Sequence, residues 1–381
     1  MTFAHFDSAA FLRNHWQKTP CLIRNPWRDW QNPLDPDDLA GLACEDGVEA
    51  RLVTRKRDDW KVEHGPFAEK RFAKTGKHPW TLLVQAVDQI VPDVAALIEP
   101  FRFVPNWRID DVMVSYASDG GGVGPHFDQY DVFLIQGLGR RRWQVGPVAD
   151  ADAAMLPNDD LRLLADFTAT DEWILEPGDI LYLPPRFAHD GVAVGDDCMT
   201  YSVGFRAPSR AELIAHWCDH LLAELADDDR YADPDLLAQS NPGEIAPAAL
   251  DRLHAMVSEK LNDRAGFACW FGGFTSTPKY PDADYTPEDA VGTNALRKAL
   301  ERGATLERNP ASRFAFVRTG ADTLTLFVDG DGIDCTGETA TLAEQLCAQT
   351  RIEVDPALAP SAAVVALLEV LINQGSLGFA N

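Results

Sequence analysis

Hydrophobic and polar positions change their spacing three times along the chain. In the first hundred residues short apolar groups sit between turns. The spacing predicts helix over 11–16, strand over 20–24, and helix over 39–42 and 80–90, the last ending at Pro92. From 111 to 206 the pattern becomes short β-rich runs broken by Gly and Pro: 112–117, 131–136, 141–145, 173–175, 180–183 and 199–205. Strands of this length with turn signals between them predict an all-β barrel or jelly roll. Helical spacing returns over 210–225 and 246–264, separated by an acidic stretch around 227–235. The Gly-, Pro- and Thr-rich segment 271–287 reads as a linker. Beyond it come a helix (287–301), two alternating strands (313–318 and 323–328) and two more helices (340–349 and 362–373). Helices around a single hairpin predict a winged-helix-like domain. The expected division is 1–208, 209–270 and 271–381.

Within the β-rich region one constellation stands out. Gly124-Pro125-His126-Phe127-Asp128 places an imidazole and a carboxylate two residues apart, which on a strand points both to one face. Downstream, Glu176-Pro177-Gly178-Asp179-Ile180-Leu181-Tyr182-Leu183-Pro184-Pro185 leads to His189, the form of the second metal segment of a cupin-type barrel. An H-x-D tripeptide by itself is common by chance; this context is not. Two histidines and one carboxylate leave coordination positions open, as Fe(II) needs to take a bidentate co-substrate and dioxygen. A structural zinc site would be closed by a fourth ligand. His216 and His220, with Cys218 between them, could form half a zinc site but have no partner ligands, and ordinary helix-surface histidines account for them equally well. His64, ahead of a turn, is a candidate for a cleft mouth.

A co-substrate such as 2-oxoglutarate needs a cation for its distal carboxylate, and Arg pairs best with it. In Arg140-Arg141-Arg142-Trp143-Gln144-Val145, strand alternation puts Arg141 on the apolar face with Trp143 and Val145, and Arg140 and Arg142 on the other. Ser115 could bond the same carboxylate; a small buried hydroxyl satisfied by backbone explains it equally well.

Composition narrows the partners. Lys and Arg total 34 against 59 Asp and Glu, a formal charge of −25. Such a field repels bare nucleic acid and anionic membranes and favours a basic partner. The seven scattered cysteines contain no C-x-x-C pair, which argues against a zinc ribbon or a disulfide framework. Residues 1–7 show no signal-peptide pattern, and the apolar run 362–372 is too short to span a membrane. A cytoplasmic protein is expected.

The run Gly120-Gly121-Gly122-Val123-Gly124-Pro125-His126-Phe127-Asp128-Gln129-Tyr130-Asp131-Val132-Phe133, with Gln136-Gly137, Arg140-Arg141-Arg142-Trp143, Tyr201-Ser202-Val203-Gly204-Phe205-Arg206-Ala207-Pro208 and Trp16-Gln17-Lys18-Thr19-Pro20, resembles the bacterial JmjC-type ribosomal oxygenases. The resemblance implies a JmjC/cupin double-stranded β-helix, then a helical dimerisation module and a winged-helix-like domain. It implies iron ligands His126, Asp128 and His189, 2-oxoglutarate contacts from Ser115 and Arg141, and a homodimer formed through the helices after 208. There Leu213, Trp217, Leu221, Leu222 and Leu225 recur at helical spacing. It further implies hydroxylation of the β-carbon of one arginine in ribosomal protein L-sixteen of the large subunit.

Two other readings share these features: a hydroxylase of small molecules, and a non-catalytic cupin/winged-helix regulator that senses a ligand. A DNA-reading winged helix carries a basic face, yet 340–346 and 362–372 contain no Lys or Arg; no direct DNA binding is expected. A substrate arginine would need negative charge at the metal mouth. Asp119 and Asp190 are the candidates, each with an ordinary turn or loop role as the alternative, while Asp131 has the wrong parity.

Overall fold

The computed structural model describes residues 1–380 except 58, 77, 151, 159 and 227. The chain divides into two compact units, Met1–Ala207 with Asn309–Ala311, and Pro208–Arg308 with Ser312–Asn381.

The first unit contains α1 (Ser8–Asn14), β1 (Cys21–Ile23), α2 (Pro36–Leu42), β2 (Ala50–Lys56), β3 (Asp59–His64), β4 (Trp80–Val84), α3 (Pro92–Ala95), β5 (Ile109–Ala117), β6 (Asp131–Val148), β7 (Asp171–Leu175), β8 (Ile180–Leu183) and β9 (Phe187–Phe205). The strands run in the order β1-β8-β6-β9-β5-β4-β2-β3, with β7 pairing β6. The runs 131–136 and 141–145 are not separate strands. They belong to the single long β6, which shifts register around Leu138, pairs β8 through its first half and β7 through its second, and pairs β9 along its length. This is the jelly-roll arrangement expected of a JmjC fold.

Alternation along these strands makes two cores. One face of β5 and β9 (Val112, Val114, Tyr201, Val203, Phe205) packs with Phe11, Leu39, Phe101, Phe133 and Tyr182. The opposite face holds a smaller cluster of Val132, Leu134, Trp143, Val145, Leu175, Leu181 and Leu183. Each such side chain contributes about 1.5–3 kcal/mol on burial. The helix expected over 80–90 is instead β4 followed by a short 3-10 turn at Val87–Gln89. A short apolar run buried on both faces carries no period to separate strand from helix; here Leu82, Leu83 and Val84 are all buried between β2 and β5.

The second unit begins with α4 (Arg210–Glu224), α5 (Pro247–Leu261) and α6 (Arg264–Ser276). A capping box of Ser209 and Glu212 starts α4, and the Asp263 carboxylate accepts from the first backbone N–H groups of α6. Trp217 of α4 is buried against Phe267 and Trp270 of α6, at ring distances of 5.5 and 5.4 Å. Part of the expected linker over 271–287 is therefore helix. Gly272 made that stretch look like a turn, but it is required for close approach, since a Cβ there would come within 2.2 Å of the Phe327 ring. The remainder comprises α7 (Thr293–Glu301), β10 (Thr305–Arg308), β11 (Phe314–Arg318), β12 (Thr323–Val328), β13 (Asp331–Thr336), α8 (Glu338–Ala348), β14 (Arg351–Glu353), α9 (Ala362–Asn373) and β15 (Leu377–Phe379). Two three-stranded sheets, β14-β10-β15 and β11-β12-β13, frame the winged helix. No helix among the described residues is long and apolar enough to cross a membrane.

One buried charge holds the start of β6. Asp131 is fully buried and accepts from the Tyr182 hydroxyl at 2.6 Å, the Gln17 amide at 2.9 Å and the Arg108 guanidinium at 2.9 Å. Removing one partner of such a group leaves the others desolvated and unpaired, which costs about 3–5 kcal/mol. Asp131→Ala should therefore lower the unfolding free energy in urea by about that amount, and a loss within measurement error would contradict the anchoring role.

Candidate active site

The segment ahead of β6 is held against β9 by backbone pairing. His126 and His189 exchange N–H···O bonds at 3.0 and 2.8 Å, while Gly120 and Gly121 bond Ala193 at 3.0 and 2.8 Å. The Arg186 N–H donates to the Asp128 carbonyl at 2.6 Å. Pairing directly opposite places the two imidazoles side by side, their centroids 4.3 Å apart. The Asp128 carboxylate comes to 3.7 Å from His189 Nε2, and one donor atom from each of the three residues lies within 4.8 Å of the others.

The tautomers follow from the neighbours. His126 Nδ1 lies 2.8 Å from the Gly124 carbonyl and His189 Nδ1 lies 2.9 Å from the Phe187 carbonyl. A carbonyl only accepts, so each Nδ1 carries the proton and each Nε2 keeps its lone pair. Burial, and then the adjacent His126, push the His189 pKa down to about 4. It is therefore neutral at pH 7, the state a metal ligand requires. Two imidazole nitrogens and one carboxylate oxygen, with no fourth such ligand in the group among the described residues, fit a divalent metal that keeps open positions.

Arg141 is buried, whereas Arg140 is exposed and Arg142 partly so. Across the ladder Arg141, Trp143 and Val145 stand opposite Ala193, Gly191 and His189. Residues directly opposite share a face, so Arg141 and His189 line the same interior. The Arg141 Nη1 makes one long contact, 3.5 Å to the Gly191 carbonyl, and its Nε and Nη2 have no acceptor among the described residues. Ser115 is buried on the face of β5 shared with Ala117, which packs on Ala193; its hydroxyl donates to the Thr200 carbonyl at 3.4 Å.

The other expected residues have different surroundings. Asp119 is exposed, and its carboxylate accepts from the Gly195 N–H of β9 at 2.7 Å, a tie to a distant strand rather than a bond within its own turn. Asp190 stands opposite Gln144, on the other face of β9 from His189, and burial raises its pKa. His64 is exposed, 3.6 Å from Asp160. The His216 ring packs on Phe274 and the His220 ring on Trp217. Sequence reasoning passed over Tyr130, whose hydroxyl pKa is pushed up by burial and by the nearby Asp128 carboxylate. Its position two residues beyond Asp128 was the available signal.

Comparison with known proteins gives a consistent picture. Residues 96–213 match the JmjC domain family and residues 259–378 the ROXA-like winged helix family. The chain is 40% identical over 367 residues to the ribosomal protein uL16 3-hydroxylase of Escherichia coli K12, covering 96% of this chain and 95% of that one. It is 47% identical over 213 residues to a probable ribosomal oxygenase of Haemophilus influenzae, covering 55% and 52%. The crystal structure of E. coli YcfD superposes with a TM-score of 0.89 at 37% identity, covering 100% of both chains. YcfD with cobalt and 2-oxoglutarate gives 0.87 at 37% identity, covering 100% of this chain and 99% of that one.

Losing one donor of three should abolish tight metal binding, because affinity and geometry are lost together. In equilibrium dialysis with Mn(II), His126→Ala, Asp128→Ala and His189→Ala should each weaken binding by more than about tenfold, since even an outer partner of a ligand is worth about 10–100-fold. His216→Ala should have no effect. Wild-type affinity in Asp128→Ala would exclude this centre.

Proposed function

The chain belongs to the JmjC-domain ribosomal oxygenases, and from that premise we propose that it is an Fe(II)- and 2-oxoglutarate-dependent oxygenase. Its proposed substrate is large-subunit ribosomal protein L-sixteen, the uL16 of the E. coli relative's name, hydroxylated at the β-carbon of an arginine side chain. The observation that carries this reading is a three-donor metal centre and a buried Arg with unpartnered N–H groups on one interior face.

In this reading His126, Asp128 and His189 hold the iron. Arg141 pairs with the distal carboxylate of 2-oxoglutarate, and Ser115 adds a second, weaker donor. When bound, the iron supplies activation of dioxygen coupled to decarboxylation of the co-substrate to succinate. The protein's own residues orient the reactants. Carbonyl bonds at both Nδ1 atoms fix the imidazole planes, and the apolar interior around Trp143 and Val145 excludes water. The charge of −25 suits a Lys- and Arg-rich protein partner, and a ribosomal substrate places the enzyme in the cytoplasm. A small-molecule substrate would leave the helical and winged-helix segments, proposed as 209–270 and 271–381, without a role.

The segment after the barrel is proposed to form a homodimer. Trp217 is buried within its own chain, which removes it from the expected apolar stripe, but Ile214, Leu222, Leu253 and Val257 on α4 and α5 are exposed at 56, 68, 42 and 60%. Such apolar exposure marks an association surface.

Mass spectrometry of ribosomal proteins from cells with and without the gene tests the function. An oxygen-sized mass increase on an L-sixteen arginine peptide should depend on the gene, and an unmodified L-sixteen in its presence would refute the substrate assignment. For assembly, Leu222→Glu combined with Val257→Glu should convert a dimer to a monomer in sedimentation; a wild-type chain that sediments as a monomer would refute the dimer.

A further inference from the structure

Trp143 carries a polar atom that the fold does not use. Its indole is 6% exposed, and its N–H has no acceptor among the described residues. Buried donors seldom stay unsatisfied, and each that does calls for an explanation. This one is two residues from Arg141 on the same face of β6, with the Arg141 Cζ 5.7 Å from the ring centroid. Three buried donors without acceptors (Arg141 Nε and Nη2, and Trp143 Nε1) therefore gather in one apolar interior. A ligand with several acceptor oxygens satisfies such a group.

The position along the strand sharpens the point. Val145 stands opposite His189 and Arg141 lies four residues further along β6, about 13 Å at the rise of an extended strand. Trp143 fills the middle of that interval, 5.8 Å from the His189 ring. It is seated over Gly191, where a Cβ would come within 2.5 Å of the indole. The ring therefore lies beside whatever spans the distance from the metal donors to the Arg141 guanidinium.

We propose that Trp143 is a co-substrate-binding residue: its indole N–H donates to the distal carboxylate paired with Arg141, and its ring walls the chain between that carboxylate and the metal centre. The proposal rests on the function reading above and adds to it the part that selects a 2-oxo acid by its second carboxylate. A merely space-filling Trp would need no free donor, and an apolar side chain there would satisfy packing without leaving the N–H stranded.

The test uses the full-length protein loaded with Zn(II) and two chelating probes. 2-Oxoglutarate has the distal carboxylate, whereas oxalate binds metal without one. By calorimetry, Trp143→Phe should weaken 2-oxoglutarate on the order of tenfold or more, the worth of a hydrogen bond to a charged group. Oxalate and Zn(II) affinities should stay at wild-type values. Arg141→Ala serves as the reference for loss of the distal contact. If Arg141→Ala weakens 2-oxoglutarate and Trp143→Phe does not, the function reading stands and this inference falls. Equal weakening of both probes by Trp143→Phe would mark a structural role and also overturn it. Wild-type protein that binds no 2-oxoglutarate would overturn both. A second measurement needs no variant. Among the ten indole N–H signals of nitrogen-15-labelled wild-type protein, one should move downfield with 2-oxoglutarate and not with oxalate; if none does, the inference is overturned.

Discussion

The antiparallel ladder between β6 and β9 is the constraint on which the site depends. Its register sets Arg141, Trp143 and Val145 against Ala193, Gly191 and His189, and backbone pairing of 120–126 with the other edge of the same β9 stretch brings in His126. A strand has a period of two, so a slip of one residue would turn Arg141 to solvent and carry its whole set to the wrong face. Register is fixed because both faces of β6 are committed: Phe133 and Ile135 belong to one core, and Val132, Leu134, Trp143 and Val145 to the other. Slippage would exchange these sets and strand the Asp131 carboxylate away from its three donors.

Two carboxylates three residues apart do opposite work for the same geometric reason. Asp131 begins β6 on the face of the larger core, where the Gln17, Arg108 and Tyr182 donors saturate it. Asp128 precedes the strand on the other side, partly exposed, with His189 Nε2 at 3.7 Å. A saturated carboxylate serves as an anchor; one with spare lone pairs can serve a metal. The histidines show the same economy, each using Nδ1 for its own carbonyl and leaving Nε2 available.

The parts of the fold legible in the sequence were those in which one period dominates. Alternation separated Arg141 from Arg140 and Arg142, and spacing marked β8, β12 and α9 closely. Residues 80–90 failed because a strand buried on both faces has no alternation to read. The helix α6 was hidden by glycines whose purpose, close approach to Phe327 and the Gly330 backbone, lies in contacts distant along the chain. The continuity of β6 across Gln136-Gly137-Leu138 was hidden likewise, since a bulge looks like a turn until the partner strand is known. Asp119 had two roles that composition could not separate. Its bond to the Gly195 N–H, across a long separation in sequence, ties it to β9, a contact that neither reading contained.

What sequence could not reveal at all is which buried donors go unused. Alternation said that Arg141 and Trp143 point inward, and nothing in the pattern said whether the interior would satisfy them. An unsatisfied buried donor costs about 1–3 kcal/mol, more when charged, so a fold that keeps three together on one face carries a stability penalty that packing must offset. Two cores do so here: the small cluster around Trp143 fixes the donors, and the larger aromatic core behind β5 and β9 keeps the sheet intact. On the proposed reading, the interior is destabilised where it recognises a ligand and stabilised elsewhere, as expected where local consistency yields to function. Because the donors are fixed before the ligand arrives, little ordering entropy remains to be lost on binding. On the proposed reading, the same fixed spacing between His189 and Arg141 also makes the length of the bridging acid a matter of geometry.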